Sequence, residues 1–252
     1  KAEIEVKSVT KKFNRDVNFS STTDTIVFTG YVAGEEDGIE VAGAFENSSV
    51  GTQNIVVDSL KLSGVNASNY VVSAASVKTG TIEKSEAKVS ISLDISGKTF
   101  VYGTFAHEML DADILAEVGT PVVSIEGETI NPIELGLISI AKVEFVDYTA
   151  TGAGLIPVGT RKVKITLSSE SYANLPEQEF EVVITPMLLD FSDVKLDKEY
   201  DGNTLLPTNV EFGIDAMIKA GDIVTVSATG EFTSEMPGAT TTAETRAVLA
   251  GA

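Results

Sequence analysis

Cysteine and tryptophan are absent from the 252 residues, and histidine occurs once. Without thiols the chain can hold neither a disulfide framework nor a thiolate metal site, and it has no cysteine nucleophile. A single His107 excludes multi-histidine metal centres and leaves one residue on which a histidine-based triad could stand. Basic residues are scarce: Lys+Arg number 18 against 37 Asp+Glu, a formal net charge of −19. That balance argues against a nucleic-acid partner, because affinity for phosphate rests on Lys and Arg displacing condensed counterions. It argues equally against an anionic membrane surface. No apolar run approaches the roughly 18 residues a transmembrane helix needs, so no membrane insertion is expected. The opening residues do not read as a charged-then-apolar signal peptide, and Lys1 is expected to be a processing boundary.

What is present points to architecture rather than to a reaction. Hydrophobic residues make up 43% of the chain but aromatic ones only 7%, alongside 21 glycines, a pattern of many short strands joined by glycine turns. Period-two alternation recurs in Ile4-Glu5-Val6, Ile39-Glu40-Val41, Leu60-Lys61-Leu62, Val143-Glu144-Phe145 and Val163-Lys164-Ile165-Thr166-Leu167. Each is bounded by Gly, Asn, Asp or Pro and reads as a half-buried strand. Only the stretch from Phe105 to Glu117, with Met109, Leu110, Ile114 and Leu115 among acids, admits a short helix. The fold class expected is all-β.

The two ends of the chain repeat each other. Lys11-Lys12-Phe13-Asn14-Arg15-Asp16 aligns with Lys198-Glu199-Tyr200-Asp201-Gly202-Asn203, and Tyr31-Val32-Ala33-Gly34 with Ile218-Lys219-Ala220-Gly221. Ala44-Phe45 then matches Glu231-Phe232, Val50-Gly51-Thr52 matches Pro237-Gly238-Ala239, and Leu62-Ser63-Gly64 matches Leu249-Ala250-Gly251. Between them a related unit opens with Lys98-Thr99-Phe100-Val101-Tyr102-Gly103 and closes with Ser171-Tyr172-Ala173-Asn174 and a strand from Glu179 to Ile184. The first unit closes in the same way, with Asn69-Tyr70 and then Gly80 to Lys84. Boundaries fall near Ser85-Glu86 and Pro186-Met187, and joins of so few residues are too short to act as floppy linkers.

These residues carry a family resemblance. KEYDGNT at Lys198 to Thr204, AGD at Ala220 to Asp222, and VAGEEDGIEV, VGT, LSG and NY in the first unit resemble the YDG repeat of large bacterial surface proteins. The middle unit, with KTFVYG, PVGT and VVITP, resembles the YGX-type bacterial immunoglobulin-like repeat called MBG. The resemblance implies tandem small immunoglobulin-like β-sandwich modules in an extended array: a YDG-like module at 1–86, an MBG-like module at 87–186, and a YDG-like module at 187–252. Asn14-Arg15 replaces the Asp-Gly of the first tip, so that turn is expected to differ. The third module stops at Gly251-Ala252, where the family continues through an Asn-Tyr segment and a final strand. An open edge there predicts a strand-swapped dimer through residues after Pro186.

Chemistry is sparse. His107 reads either as a general base partnered by Glu108 or Asp111 or as a loop residue. No Asp/Glu pair stands on a recognisable hydrolase motif. Calcium candidates are Glu35, Glu36 and Asp37 before Gly38, and Asp190, Asp193 and Asp197 at the second junction, with surface charge the alternative. Sugar stacking is disfavoured by the missing tryptophan. Tyr70 and Tyr172 occupy equivalent places and are read as structural, the phenol bonding a backbone group as in a tyrosine corner. Tyr200, Asp201 and Gly202, with Phe13 as the counterpart of Tyr200, are read as tip formers. Gly34 with Gly221, and Gly51 with Gly238, are read as turn formers. A covalent Lys–Asn link beside a buried acid is a further alternative. The tripeptides starting at Asn18, Asn47 and Asn66 fit the glycosylation acceptor pattern and are read as chance.

The expected function is that of a non-catalytic, cofactor-free stalk segment of an extracellular or cell-surface bacterial adhesin-like protein. Its partners would be neighbouring repeats of a longer chain and a host protein or glycan. A carbohydrate- or protein-binding module, or an accessory domain of an extracellular hydrolase, is the alternative.

Overall fold

The computed structural model describes residues 1–35, 38–73, 77–189, 199, 201–205, 218–222, 224–227, 232 and 248–250. The fold is all-β, with one short α-helix among the described residues. The chain divides into two compact units, one made of Lys1–Asp94, Thr120–Val143 and Ile165–Gln178, the other of Ile95–Gly119, Glu144–Lys164 and Glu179–Ala252.

In the first unit, β1 (Ala2–Lys12), β2 (Asn18–Ser20), β3 (Thr25–Thr29), β4 (Ile39–Phe45), β5 (Gly51–Leu62), β6 (Tyr70–Ser73) and β7 (Thr79–Glu83) form one sheet. Its order is β2-β4-β5-β7-β1-β3, with β6 also on β1. The length of β1 lets its two halves serve different partners. Residues 2–5 pair in parallel with Tyr70 to Ser73, and residues 10–12 pair in parallel with Thr81 to Glu83. The same division occurs in β5, whose first residues pair with β7 and the rest with β4. The period-two pattern does its work here, since Ile4, Val6 and Val9 of β1 and Ile39, Val41 and Phe45 of β4 are all buried. The rings of Phe19 and Phe45 meet edge-on, centroids 5.5 Å apart. Gly43 is what admits them: a Cβ there would lie 2.6 Å from the Phe19 ring and 2.1 Å from the Val56 carbonyl oxygen. The same unit holds the antiparallel pair β8 (Val89–Ser92) and β10 (Val122–Ile125).

A second sheet has the order β11-β12-β13-β9, from β9 (Phe100–Val101), β11 (Ser139–Val146), β12 (Gly159–Ser168) and β13 (Glu177–Thr185). Along β12 the residues Val163, Ile165 and Leu167 are buried and those between them are not, as alternation requires. In the second unit Phe100, Phe105 and Phe145 stack in series, with successive centroids 4.9 and 4.8 Å apart.

The helix α1 (Asp111–Val118) starts six residues later than the stretch that admits one and ends one residue beyond it. Asp111 and Asp113 occupy its first turn, where the helix dipole favours negative charge, and Ile114 and Val118 are buried one turn apart. At its other end Lys98 donates to the Glu117 and Val118 carbonyls at 3.3 and 3.0 Å, the sign that end favours. Near the end of the chain β14 (Thr225–Ser227) and β15 (Val248–Ala250) pair antiparallel.

Candidate functional site: the tips and the joints behind them

The hydrogen-bonded polar side chains described below gather at a few turns and at the segment around Ser85. The first such turn follows β1. Phe13 N–H donates to the Glu83 carbonyl at 2.8 Å, extending the β1–β7 ladder by one bond. The Asn14 side-chain oxygen accepts the Asp16 N–H at 3.0 Å, and the Asp16 carboxylate accepts the Asn18 N–H at 3.1 Å and its Nδ2 at 2.8 Å. These are two consecutive Asx turns. The Asn18 main-chain bond, ahead of its side chain, holds the Asp16 carboxyl below the usual carboxylate range. Beneath them the buried Lys11 donates to the Asp16 and Asn18 carbonyls at 2.8 and 2.5 Å. Lys11, Asn18 and Asp16 are the kinds of residue a covalent Lys–Asn link would use. Here the amine spends its protons on main-chain carbonyls, which is how an ammonium closes a loop.

The third tip has the same form. Asp201 accepts the Asn203 N–H at 3.1 Å, and Asn203 accepts the Leu205 N–H at 3.0 Å. Between the paired acceptors sits a left-handed residue in both tips, Gly202 at φ 76° and Arg15 at φ 67°. The expectation that Asn14-Arg15 would make the first turn differ is therefore corrected. Asn accepts as Asp does, and the two side-chain bonds hold the arginine where glycine rests unaided.

A second shared turn lies twenty residues on. Glu35 N–H donates to the Val32 carbonyl and Asp222 N–H to the Lys219 carbonyl, both at 3.0 Å, with Gly34 at φ 91° and Gly221 at φ 93°. In each case the acid that follows receives a tyrosine. The Tyr70 hydroxyl accepts the Val32 N–H at 3.1 Å and donates to Glu35, which also accepts Asn66 Nδ2 at 2.7 Å. Donation to the carboxylate lifts the phenol above its ordinary value. Tyr70 thus bonds a backbone group, as a tyrosine corner does. Asp222 is reached instead by Tyr102 of the KTFVYG opening, whose hydroxyl lies 2.7 and 2.8 Å from the two carboxylate oxygens and 3.1 Å from the Thr151 hydroxyl. Burial first, and then Asp222, raises the Tyr102 phenol. Tyr102 N–H meanwhile donates to the Thr185 carbonyl at 2.8 Å, the bond Phe13 makes to Glu83. A cleft of 420 Å³ opens beside this contact, walled by Pro157, Val158, Pro186, Met187 and Ile218.

The segment around Ser85 is stitched through the main chain. Ser85 N–H donates to the Ser171 carbonyl at 2.8 Å, and Ala173 N–H donates to the Ser85 carbonyl at 2.9 Å, a parallel bridge between Ser85 and Tyr172. Lys84 donates to the Ser169 carbonyl at 2.8 Å. Side chains cover this seam. Phe13 meets the buried Tyr172 edge-on at 5.7 Å, Arg15 pairs with Glu128, and Lys12 reaches Glu83 at 3.0 Å and Glu86 at 2.7 Å. The Glu86 bond, ahead of Glu83, raises the Lys12 ammonium, and Lys12 in turn lowers the Glu86 carboxyl. Burial raises the Tyr172 phenol.

The other sequence candidates lie apart from these joints. In the loop before α1, the His107 ring bonds through Nδ1 to Tyr148, and the His107 main-chain N–H donates to the Gly154 carbonyl at 2.9 Å. Gly51 has φ 124°. Asp190, Asp193 and Asp197, together with Glu36, Asp37, Tyr200 and Gly238, lie outside the described residues, as does most of the chain after Pro186 on which strand swapping would depend. Among the described residues no group of three or more His, Cys, Asp or Glu side chains is arranged to hold a metal ion, and no helix is long and apolar enough to cross a membrane. Sequence reasoning missed Glu35, Asp222 and Glu128 as acceptors. Two of the three had a usable signal, since both follow an Ala-Gly turn at equivalent repeat positions.

No curated protein and no solved structure matches the chain. The family model of the YDG domain matches residues 1–79, the segment that holds β1 to β6, the double Asx turn of the first tip and the Tyr70–Glu35 pair.

Proposed function

We propose that the chain is a non-catalytic structural segment of a bacterial cell-surface or secreted adhesin-like protein, which extends and presents other domains. In this reading it is an array of small immunoglobulin-like β-sandwich modules at 1–86, 87–186 and 187–252. The middle is MBG-like and the last YDG-like. The observation that carries the reading is the bridge at Ser85. A linker whose own N–H and C=O are spent on Ser171 and Ala173 has no slack, so two successive modules move as one lever. The part-buried Tyr102–Asp222 side-chain contact would pin the second joint in this reading. The double Asx turn shared by the first and third tips supports their being copies of one module.

Small-angle scattering tests it. Three modules in line have a radius of gyration of roughly 27 Å against about 18 Å for one compact body of this length. A value near the larger figure is expected. One near the smaller would overturn the array.

A further inference from the structure

We propose that Arg15 keys the first tip to the module behind it, so that this tip accepts only a following module with a carboxylate at the place of Glu128 and a buried ring at the place of Tyr172. The inference rests on reading 1–86 and 87–186 as successive repeats. Arginine is the wrong residue for its backbone. At φ 67° a Cβ crowds the chain, and glycine takes the same place without penalty in the third tip, where φ is 76° and the Asx bonds are the same. Arg15 and Asp147 are the two non-glycine residues with positive φ among those described.

What the strained backbone obtains is the reach of its side chain. The guanidinium pairs with Glu128, the two side chains keeping 37% and 28% of their exposure, and its fork presents several donors to the carboxylate. Glu128 is fixed in turn. It follows β10 closely, and its N–H donates to the Ile125 carbonyl at 3.0 Å. Beside the pair, Phe13 abuts Tyr172 at 5.7 Å, so charge and ring register the same two surfaces together. A glycine tip has the ring position and lacks the charge. Tip identity therefore sorts which module can follow which, a residue-level code for the order of repeats.

The absence of cysteine makes the test clean. Spin labels are placed at Val56→Cys and Val122→Cys, positions 65% and 66% exposed on either side of the joint, and their separation is read by pulsed electron paramagnetic resonance on the full chain. A single narrow distance peak is expected. Arg15→Gly should broaden that peak without lowering the thermal midpoint, because the turn is relieved while the key is lost. Glu128→Arg should broaden it too, and Arg15→Glu combined with Glu128→Arg should narrow it again. A peak left narrow by Arg15→Gly, or not restored by the exchange, overturns the proposal and leaves the array standing. A broad distribution in the unsubstituted chain overturns the rigid joint, and with it both readings.

Discussion

A left-handed residue between two Asx acceptors is the smallest feature the first and third tips share, and it yields the sharpest residue-scale tests. Gly202→Val should lower the unfolding free energy by about 1 kcal/mol or more, because a β-branched residue does not enter positive φ. An unchanged denaturant midpoint would contradict this. Tyr70→Phe removes a hydroxyl that both accepts from Val32 and donates to Glu35. The urea midpoint should fall, since a carboxylate and an N–H lose the same partner together. Alkaline pH should act on the same group. The phenols of Tyr70, Tyr102, Tyr148 and Tyr172 all sit above their ordinary value, Tyr70 through Glu35 and the others through burial. A raised pKa means the unfolded chain releases its proton first. The stability these groups contribute is therefore complete below about pH 10 and is lost as pH rises beyond it. Tyrosinate absorbance should accordingly develop late for these residues and together with unfolding; a simple titration at the ordinary value would refute it.

At the scale of strands and turns, close packing decides more than propensity does. Gly43→Ala places a methyl against the Phe19 ring and the Val56 carbonyl oxygen, and should cost about 1–3 kcal/mol in thermal or chemical unfolding. The strands themselves were legible. Val163, Ile165 and Leu167 announce their buried face by alternation, and so do Ile4 and Val6. Pattern reports which face is inward but not which strand lies alongside, so the division of β1 between β6 and β7 was invisible. The helix was legible in its apolar spacing, while its start was not, because Leu110 precedes it without a side-chain cap. The first tip was misread for a related reason. Residue type at Arg15 pointed away from a glycine-like turn, yet the conformation is set by hydrogen bonds from Asn14 and Asp16 on either side. The acids that the turn tyrosines bond are chosen by distant parts of the chain that no local pattern encodes.

For the molecule as a whole, the array proposed above predicts that the segment at Ser85 decides whether the parts on either side act together. A six-residue Gly/Ser insertion between Lys84 and Ser85 adds about 13 Å of flexible reach. It should turn a single scattering envelope into a broad ensemble, while each module keeps its unfolding midpoint. Identical scattering curves with and without the insertion would show that the linker never constrained the chain.

The parallel pairing of β1 with β7 bears on how such a chain answers a pull. β1 begins at the incoming end of the first module and β7 finishes at its outgoing end. Tension applied through the two ends would drag these neighbours past each other lengthwise. The bonds linking Thr10, Lys11 and Lys12 to Thr81, Ile82 and Glu83 would then be loaded in shear. Bonds loaded in shear must yield together, whereas an antiparallel hairpin pulled at its open end unzips one rung at a time. The β9 and β13 strands of the second sheet are parallel too, Phe100 beside Ile184 and Val101 beside Thr185. Parallel terminal strands of this kind would spend their hydrogen bonds in concert, with the breaking force set by a few residues at each clamp rather than by the size of the fold.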